Sequence, residues 1–199
     1  MLLIIDCATA ACSVALVEGV ELIAEQHEVV GRGHAERLVP MIQSLLGRRR
    51  PDAILVDCGP GSFTGVRVGL AAAHGLAIGW KIPLSGYSSL SAIGAAAQHP
   101  EFAVALHGGH GQLFVQSYSR EPLMSRDELR SLTPEQAART IDAKQVYGSG
   151  AEDLVTARGF GEAHDALPRA ADAILLPESL RSLSPRPLYG REPDAKPMQ

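Results

Sequence analysis

The order of apolar and polar positions along the chain predicts three strands at its start. Residues 2–5 form a continuous apolar run, as expected of a strand that is buried on both faces. The apolar runs at 13–17 and 21–25 follow, and the turn at Gly19 between them predicts a hairpin.

Helices and strands alternate after this hairpin. From 34 to 46 the apolar residues recur at helical spacing, although Pro40 removes a backbone donor and should kink the helix. The apolar run at 53–57 predicts a buried strand. A glycine-rich turn at 59–62 then leads into a long helix of small residues that ends near Ile78.

The same order of elements then appears a second time. A short edge strand at 81–84 and a helix at 88–97 complete a β-β-β-α-β-α series. The second series contains strands at 102–106 and 113–118 and near Leu123, a helix opened by Thr133 with Gln136 at its capping-box position, a strand at 146–148 and a helix at 151–157. We therefore predict an α/β protein with two lobes, residues 1–100 and 101–199, in the actin-like ATPase (ASKHA, RNase H-like) architecture.

Composition narrows the class of protein. The 199 residues are 46% hydrophobic, and 18 Lys and Arg against 22 Asp and Glu give a net charge of -4. This charge argues against a stand-alone nucleic-acid binder, so any RNA should be held by another protein. Three cysteines without C-x-x-C spacing fit a reducing compartment. No run reaches the roughly 18 apolar residues of a spanning helix, and we expect a cytoplasmic protein without a membrane segment.

The long helix carries small residues at four-residue intervals, Gly65, Gly69, Ala73 and Ala77. Each glycine costs a helix about 1 kcal/mol relative to alanine, so their use indicates a close backbone approach. The helix is apolar nearly all round and should be covered on more than one side. Either a partner helix or close packing inside the chain satisfies this pattern.

The glycine turn suggests an anion site, because a strand, a turn and a helix start aim backbone N–H groups at one point. Yet no lysine follows as in a Walker loop, and Thr64 stands where the dinucleotide fingerprint has its third glycine. Asp6 and Thr9 stand where an actin-like ATPase places its metal-holding carboxylate and first phosphate contact; they are equally a polar strand end and a turn former. The corresponding turn of the second lobe, 107–111, has no carboxylate, so we do not expect ATP turnover by this chain alone.

Histidines and nucleophiles form no recognisable catalytic or metal-binding pattern. His107 and His110 supply only two ligands in a glycine loop. His34 has no second histidine four residues later, so the zinc-peptidase motif is absent. We therefore predict no catalytic residue, no bound metal and no cofactor.

Three segments resemble successive signatures of the TsaB (YeaZ) family. They are DCATAACSVAL at 6–16, HAERLVP at 34–40 and GPGSFTGVRVG at 59–69. The resemblance is dense over residues 1–95, and PLYGR at 187–191 is similar to the family's tail.

This resemblance implies an actin-like fold without a catalytic role of its own. Family members act as scaffold and activator, with the catalytic TsaD and the ATPase TsaE, for threonylcarbamoyl transfer to the tRNA adenosine beside the anticodon; tRNA is contacted only indirectly. The helices at 34–46 and 63–78 are expected to pair with those of TsaD, or with a second copy in a homodimer. By this resemblance the interface residues are Leu38, Gly65, Val66, Gly69, Leu70 and Ala73.

The chain also departs from the family. Where the family has Asp-Ala-Arg followed by Glu-Val-Tyr, the chain has HGG at 107–109 and QLF at 112–114, and its segment 161–185 is short. The resemblance therefore implies a trimmed second lobe. Two other hypotheses remain: a sugar-kinase-like ATPase that uses Asp6 and Thr9, and a metallopeptidase, for which the chain offers no motif.

Overall fold

The first lobe is built on a five-stranded sheet. The computed structural model of the chain describes residues 1–190. The strands of the first sheet are β1 (Leu2–Asp6), β2 (Ala11–Glu18), β3 (Glu21–Val29), β4 (Ala53–Asp57) and β5 (Leu84–Tyr87), in the spatial order β3-β2-β1-β4-β5. Its helices are α1 (His34–Leu46), α2 (Phe63–Trp80) and α3 (Ser89–Ala96).

The central strand β1 pairs antiparallel with β2 and parallel with β4. Leu3 and Ile5 face the core beneath α1 and α2, whereas Ile4 faces the core on the opposite side of the sheet. All three are fully buried. This two-sided burial explains the uninterrupted apolar run at the start of the chain.

The second lobe repeats this connectivity. Its strands are β6 (Glu101–His107), β7 (Leu113–Arg120), β8 (Leu123–Ser125), β9 (Arg130–Leu132), β10 (Gln145–Tyr147) and β11 (Glu162–His164), and its helices are α4 (Pro134–Ala138) and α5 (Ala151–Arg158). The sheet order is β11-β10-β6-β7-β8, with β9 also paired to β7. In both lobes the first strand is central, its antiparallel neighbour follows it in sequence, and parallel strands lie on its other side. The predicted two-lobed, actin-like α/β architecture is confirmed.

Local predictions hold except at short or edge elements. The capping box of α4 is present, since Thr133 Oγ1 accepts from Gln136 N–H at 3.3 Å and Gln136 Oε1 accepts from Thr133 N–H at 3.0 Å. The edge strand predicted at 81–84 is wrong in position, because α2 continues to Trp80 and Lys81 then ends it in a left-handed conformation. α1 is one continuous helix in which Pro40 lies on the exposed side.

The last residues that the structure describes return to the first lobe. A 3₁₀ helix at Ala170–Leu175 packs on β1 and β2, and the Ala170 N–H donates to Ser13 Oγ at 3.0 Å. Further along, the Leu188 N–H donates to the Cys58 carbonyl at 2.8 Å. The two sheets meet in sequence near the predicted boundary at residue 100, whereas residues 170–188 of the predicted second lobe contact the first lobe. Arg191, the last residue of the tail motif, lies outside the described residues.

Candidate functional site

The turn between β4 and α2 uses its backbone donors inside the chain. The Gly59 N–H donates to Asp57 Oδ1 at 2.7 Å, and the Ser62 N–H donates to the Ala8 carbonyl at 2.6 Å. Ser62 is also the N-cap of α2, where its hydroxyl accepts from the Gly65 N–H at 3.3 Å. These three N–H groups are therefore not free to bind a phosphate.

Close packing against the end of β1 explains the glycines of this segment. A Cβ on Gly61 would overlap the carbonyl oxygen of Ala8, and a Cβ on Gly65 would overlap that of Cys7. Neither position accepts a larger side chain unless the backbone shifts. The close backbone approach predicted for this helix is confirmed, and the backbone that it approaches belongs to the chain's own first lobe.

The six residues predicted at a partner interface are all buried within the chain. They are Leu38, Gly65, Val66, Gly69, Leu70 and Ala73. Leu38 and Ala73 are fully buried, while Val66 and Leu70 are 6% and 5% exposed. They pack α1 and α2 onto the sheet, so of the two alternatives that the pattern left open, packing inside the chain supplies the burial of these residues. A partner can therefore reach these helices only from their outer side.

The outer side of α2 is exposed and carries few polar groups. Its exposed residues are Phe63, Thr64, Arg67, Ala71, His74, Gly75, Ile78 and Gly79. Ile78 is 76% exposed, and no Asp, Glu, Lys or Arg occurs between Val68 and Trp80. A Cβ on Gly75 or Gly79 would meet nothing within 4 Å, so the fold itself does not require a glycine at either position.

We call this side of α2 the outer face, defined by Arg67, Ala71, His74, Gly75 and Ile78. Sequence reasoning missed it because it followed the stripe that begins at Gly65. The signal was present, since Ala71, Gly75 and Gly79 repeat the same four-residue spacing on the opposite side of the helix. On α1, the exposed Val39 adds apolar surface to this side of the lobe.

No helix within residues 1–190 is both long and apolar enough to cross a membrane.

A cavity of about 600 Å³ lies between the lobes. Arg67 lines it from the first lobe, His107 from the second, and Tyr189 from the returning C-terminal segment. The Arg67 guanidinium lies 3.3 Å from the centre of the Phe63 ring and donates to the Tyr189 hydroxyl at 3.2 Å. His107 Nε2 lies 3.0 Å from Asp153 Oδ2. Arg67 and His107 are thus already engaged with other side chains of the chain.

The predicted phosphate-site residues, Asp6 and Thr9, differ in their exposure to the cavity. Thr9 lines the cavity, and its hydroxyl accepts from the Ala11 N–H at 3.3 Å. Asp6 is fully buried behind the cavity, where Oδ2 accepts from the Tyr87 hydroxyl at 2.8 Å. Its Oδ1 has no hydrogen-bond partner among the described residues. Asp6 therefore does not present its carboxylate to the cleft.

Asp6 and Asp57 form a buried acid pair at the ends of β1 and β4. Burial raises the pKa of Asp6 to about 6, and burial together with the charge of Asp6 raises the pKa of Asp57 well above its ordinary value. Asp57 also accepts from the Ser89 hydroxyl at 2.7 and 2.9 Å. The pair therefore retains a proton and joins β1, β4 and the start of α3. Residues 1–190 contain no group of three or more His, Cys, Asp or Glu that could hold a metal ion.

Comparison with known proteins gives consistent matches. The family model described as TsaD, tRNA N6-adenosine threonylcarbamoyltransferase, matches residues 21–149. The tRNA threonylcarbamoyladenosine biosynthesis protein TsaB of Escherichia coli is 37% identical over 129 residues, which cover 60% of this chain and 55% of that protein. The chain thus matches little more than half the length of this relative.

Two further matches extend over nearly the whole chain. An uncharacterised protein of Mycobacterium tuberculosis is 32% identical over 210 residues, covering 98% of this chain and 94% of its own length. The crystal structure of YeaZ from Pseudomonas aeruginosa is 29% identical with a TM-score of 0.80, covering 94% of this chain and 98% of that one. Both lobes therefore have a counterpart in a solved structure.

Proposed function

The chain belongs to the TsaB (YeaZ) family, and from this membership we propose that it is a non-catalytic subunit for threonylcarbamoyl modification of tRNA. In this proposal it binds and activates a TsaD-type transferase, together with a TsaE-type ATPase. The TsaD-type subunit holds the tRNA, which agrees with the net charge of -4 on this chain.

The observation that carries the proposal is the outer face of α2. A helix side that faces water normally carries charged or polar residues, whereas this one has Ala71, Gly75 and Ile78 exposed, with His74 as its one polar residue between Val68 and Trp80. Small side chains also let a second helix approach closely. Their exposure supports a partner helix packed along α2.

The occupant we propose is the first lobe of a TsaD-type protein. The match to the TsaD family model includes both α1 and α2, so a TsaD-type partner should present a related pair of helices. Related faces packed about an approximate twofold axis place small residues opposite small residues. In the absence of that partner, we expect a second copy of this chain to occupy the same face.

Three features support a role without catalysis. The N–H groups of Gly59 and Ser62 are bonded within the chain. Asp6 is buried away from the cleft. The turn at 107–111 carries no carboxylate that could complete a metal site.

The cavity between the lobes favours one second candidate, an ATPase of the sugar-kinase type. That function requires Mg²⁺-dependent ATP turnover by the isolated chain, and Asp6→Asn should abolish it. Absence of turnover in the folded wild-type chain would eliminate this candidate.

The proposed function is tested in cells and with purified proteins. Depletion of this chain should remove threonylcarbamoyladenosine from tRNA, measured by mass spectrometry of digested nucleosides, and the chain should co-elute with TsaD on size exclusion. Normal modification in fully depleted cells would contradict the proposed role.

The interface is tested with a matched pair of substitutions. Ala71 lies on the outer face, and Ala157 is an exposed alanine on α5 of the second lobe. Ala71→Leu should weaken TsaD binding by roughly tenfold or more, because overpacking a close interface costs about 1–3 kcal/mol. Ala157→Leu should leave binding unchanged. Equal affinities for the two variants, measured by calorimetry, would show that TsaD binds elsewhere.

A further inference from the structure

Two buried thiols face each other across the turn that follows β1. The Sγ atoms of Cys7 and Cys12 are 3.5 Å apart, and both residues are at most 1% exposed. The antiparallel register of β1 and β2 pairs Asp6 with Ser13, so the next cross-strand positions are Cys7 and Cys12. Their proximity thus follows from the strand register as well as from the side-chain positions.

We propose that Cys7 and Cys12 are an oxidisable dithiol, which closes to an intramolecular disulfide when the chain reacts with hydrogen peroxide. The sulfur atoms need to approach from 3.5 Å to about 2.05 Å, which a side-chain rotation and a small movement of the turn supply. Only four residues separate the two cysteines in sequence.

The reaction balances with one peroxide per disulfide. The Cys12 thiolate attacks one peroxide oxygen, the O–O bond breaks, and the product is a sulfenic acid plus hydroxide. The Cys7 sulfur then attacks the Cys12 sulfur and expels a second hydroxide. The two hydroxides take up the two thiol protons, so two thiols and one hydrogen peroxide give one disulfide and two waters.

The hydrogen bond between the thiols favours Cys12 as the first nucleophile. This bond lowers the pKa of Cys12, and the same bond together with burial raises the pKa of Cys7. Both side chains belong to the core beneath α1 and α2, where a Cβ on Gly69 would lie 3.5 Å from Cys7 Cβ. Peroxide therefore reaches the pair when this packing opens locally.

The third cysteine provides an internal control. Cys58 is also fully buried, but its Sγ contacts the carbonyl oxygens of Val56 at 3.6 Å and Ser184 at 3.8 Å. Among the described residues it has no thiol as a hydrogen-bond partner. Burial alone is therefore shared by all three cysteines, whereas a neighbouring sulfur is specific to Cys7 and Cys12.

The disulfide would fix the turn after β1, which hydrogen-bonds to residues at the starts of α1 and α2. The Ala8 carbonyl accepts from the Ser62 N–H at 2.6 Å, next to the start of α2. The Thr9 carbonyl accepts from His34 Nε2–H at 2.9 Å, at the start of α1. Oxidation thus acts where the positions of α1 and α2 are set relative to the sheet.

The test is peroxide oxidation of the reduced, full-length chain. After treatment, the free thiols are alkylated under denaturing conditions and the chain is analysed by intact and peptide mass spectrometry. We expect the loss of two alkylation sites together, a peptide linked through Cys7 and Cys12, and an alkylated Cys58. The Cys58→Ser variant should form the same link, and dithiothreitol should reverse it.

Two results would overturn the proposal. One is a folded wild-type chain whose Cys7 and Cys12 remain separately alkylated after Cys58 has been oxidised. The other is independent oxidation of Cys7 and Cys12 to sulfinic acids with no linked peptide. The wild-type chain carries the decisive result, so a variant that fails to fold leaves the test intact.

Discussion

Replacing Asp6 by asparagine removes one ionisable group from the buried acid pair while preserving its shape. The asparagine oxygen still accepts from the Tyr87 hydroxyl, as Asp6 Oδ2 does at 2.8 Å. Its NH₂ group takes the place of Oδ1, which has no hydrogen-bond partner among the described residues. The substitution therefore changes the ionisation of the site more than its packing.

The expected effect depends on pH, and its sign follows from the raised pKa. The pKa of Asp6 rises from an ordinary 3.8 to about 6 in the folded chain because the carboxyl is buried. Below about pH 4, Asp6 is protonated in both the folded and the unfolded chain, and the stability that its raised pKa provides is fully present. This stability is lost as the pH rises through about 6, because the buried carboxyl must then ionise. The difference corresponds to about 3 kcal/mol. The raised pKa of Asp57 adds an effect of the same sign.

We therefore expect Asp6→Asn to match the wild type to within about 1 kcal/mol at pH 4 and to be more stable by about 3 kcal/mol at pH 8. The measurement is urea unfolding followed by circular dichroism at pH 4, 6 and 8. Asp165→Asn, at an exposed position in the second lobe, is the control for the same chemical change. The quantity compared is the change in the free energy of unfolding that each variant shows relative to the wild type at each pH.

Two results would contradict the raised pKa of Asp6. One is a free-energy difference between Asp6→Asn and the wild type that is the same at pH 4 and pH 8. It would show that burial does not raise the pKa of Asp6. A variant less stable than the wild type at pH 8 would contradict it as well.

Three other substitutions test the packing of this lobe by urea unfolding. Gly65→Ala should cost about 2–3 kcal/mol because its Cβ overlaps the Cys7 carbonyl oxygen, whereas Gly75→Ala, where a Cβ meets nothing, should gain up to about 1 kcal/mol. Equal effects at these two helical glycines would contradict the packing of α2. Ser89→Ala should cost about 1–3 kcal/mol because Asp57 loses a buried donor, and a neutral result would show that this hydrogen bond contributes little.

Local chemistry explains why most of the elements could be predicted. The limits of α1, the start of α2 at its glycine turn and the capping box at Thr133 depend on neighbouring residues, which the sequence displays directly. The short strands β9 and β11 have three residues each, too few to show a period, and neither was predicted. β5 was misplaced for a different reason: the left-handed conformation of Lys81, which ends α2, leaves no pattern in the sequence.

The candidate site was harder to predict, because it depends on which side of a helix meets the sheet. Helical spacing identified the stripe from Gly65 to Ala77. The equivalent stripe at Ala71, Gly75 and Gly79, two positions away, was missed. Both stripes are small and apolar, so sequence alone did not show which one was free. The sheet covers the first stripe, and the second faces outward. The outer face is therefore a finding of the tertiary structure.

The sequence by itself determined the order of strands and helices, the repeat that builds two lobes, and the family resemblance carried by residues 6–16, 34–40 and 59–69. These features depend on local preferences and on periods of hydrophobic residues. Only the tertiary structure decided that Asp6 lies next to Asp57 and away from the cleft, that Cys7 faces Cys12, and that residues 170–175 return to the first lobe. Such contacts depend on strand register and on packing between distant segments, which no local pattern encodes.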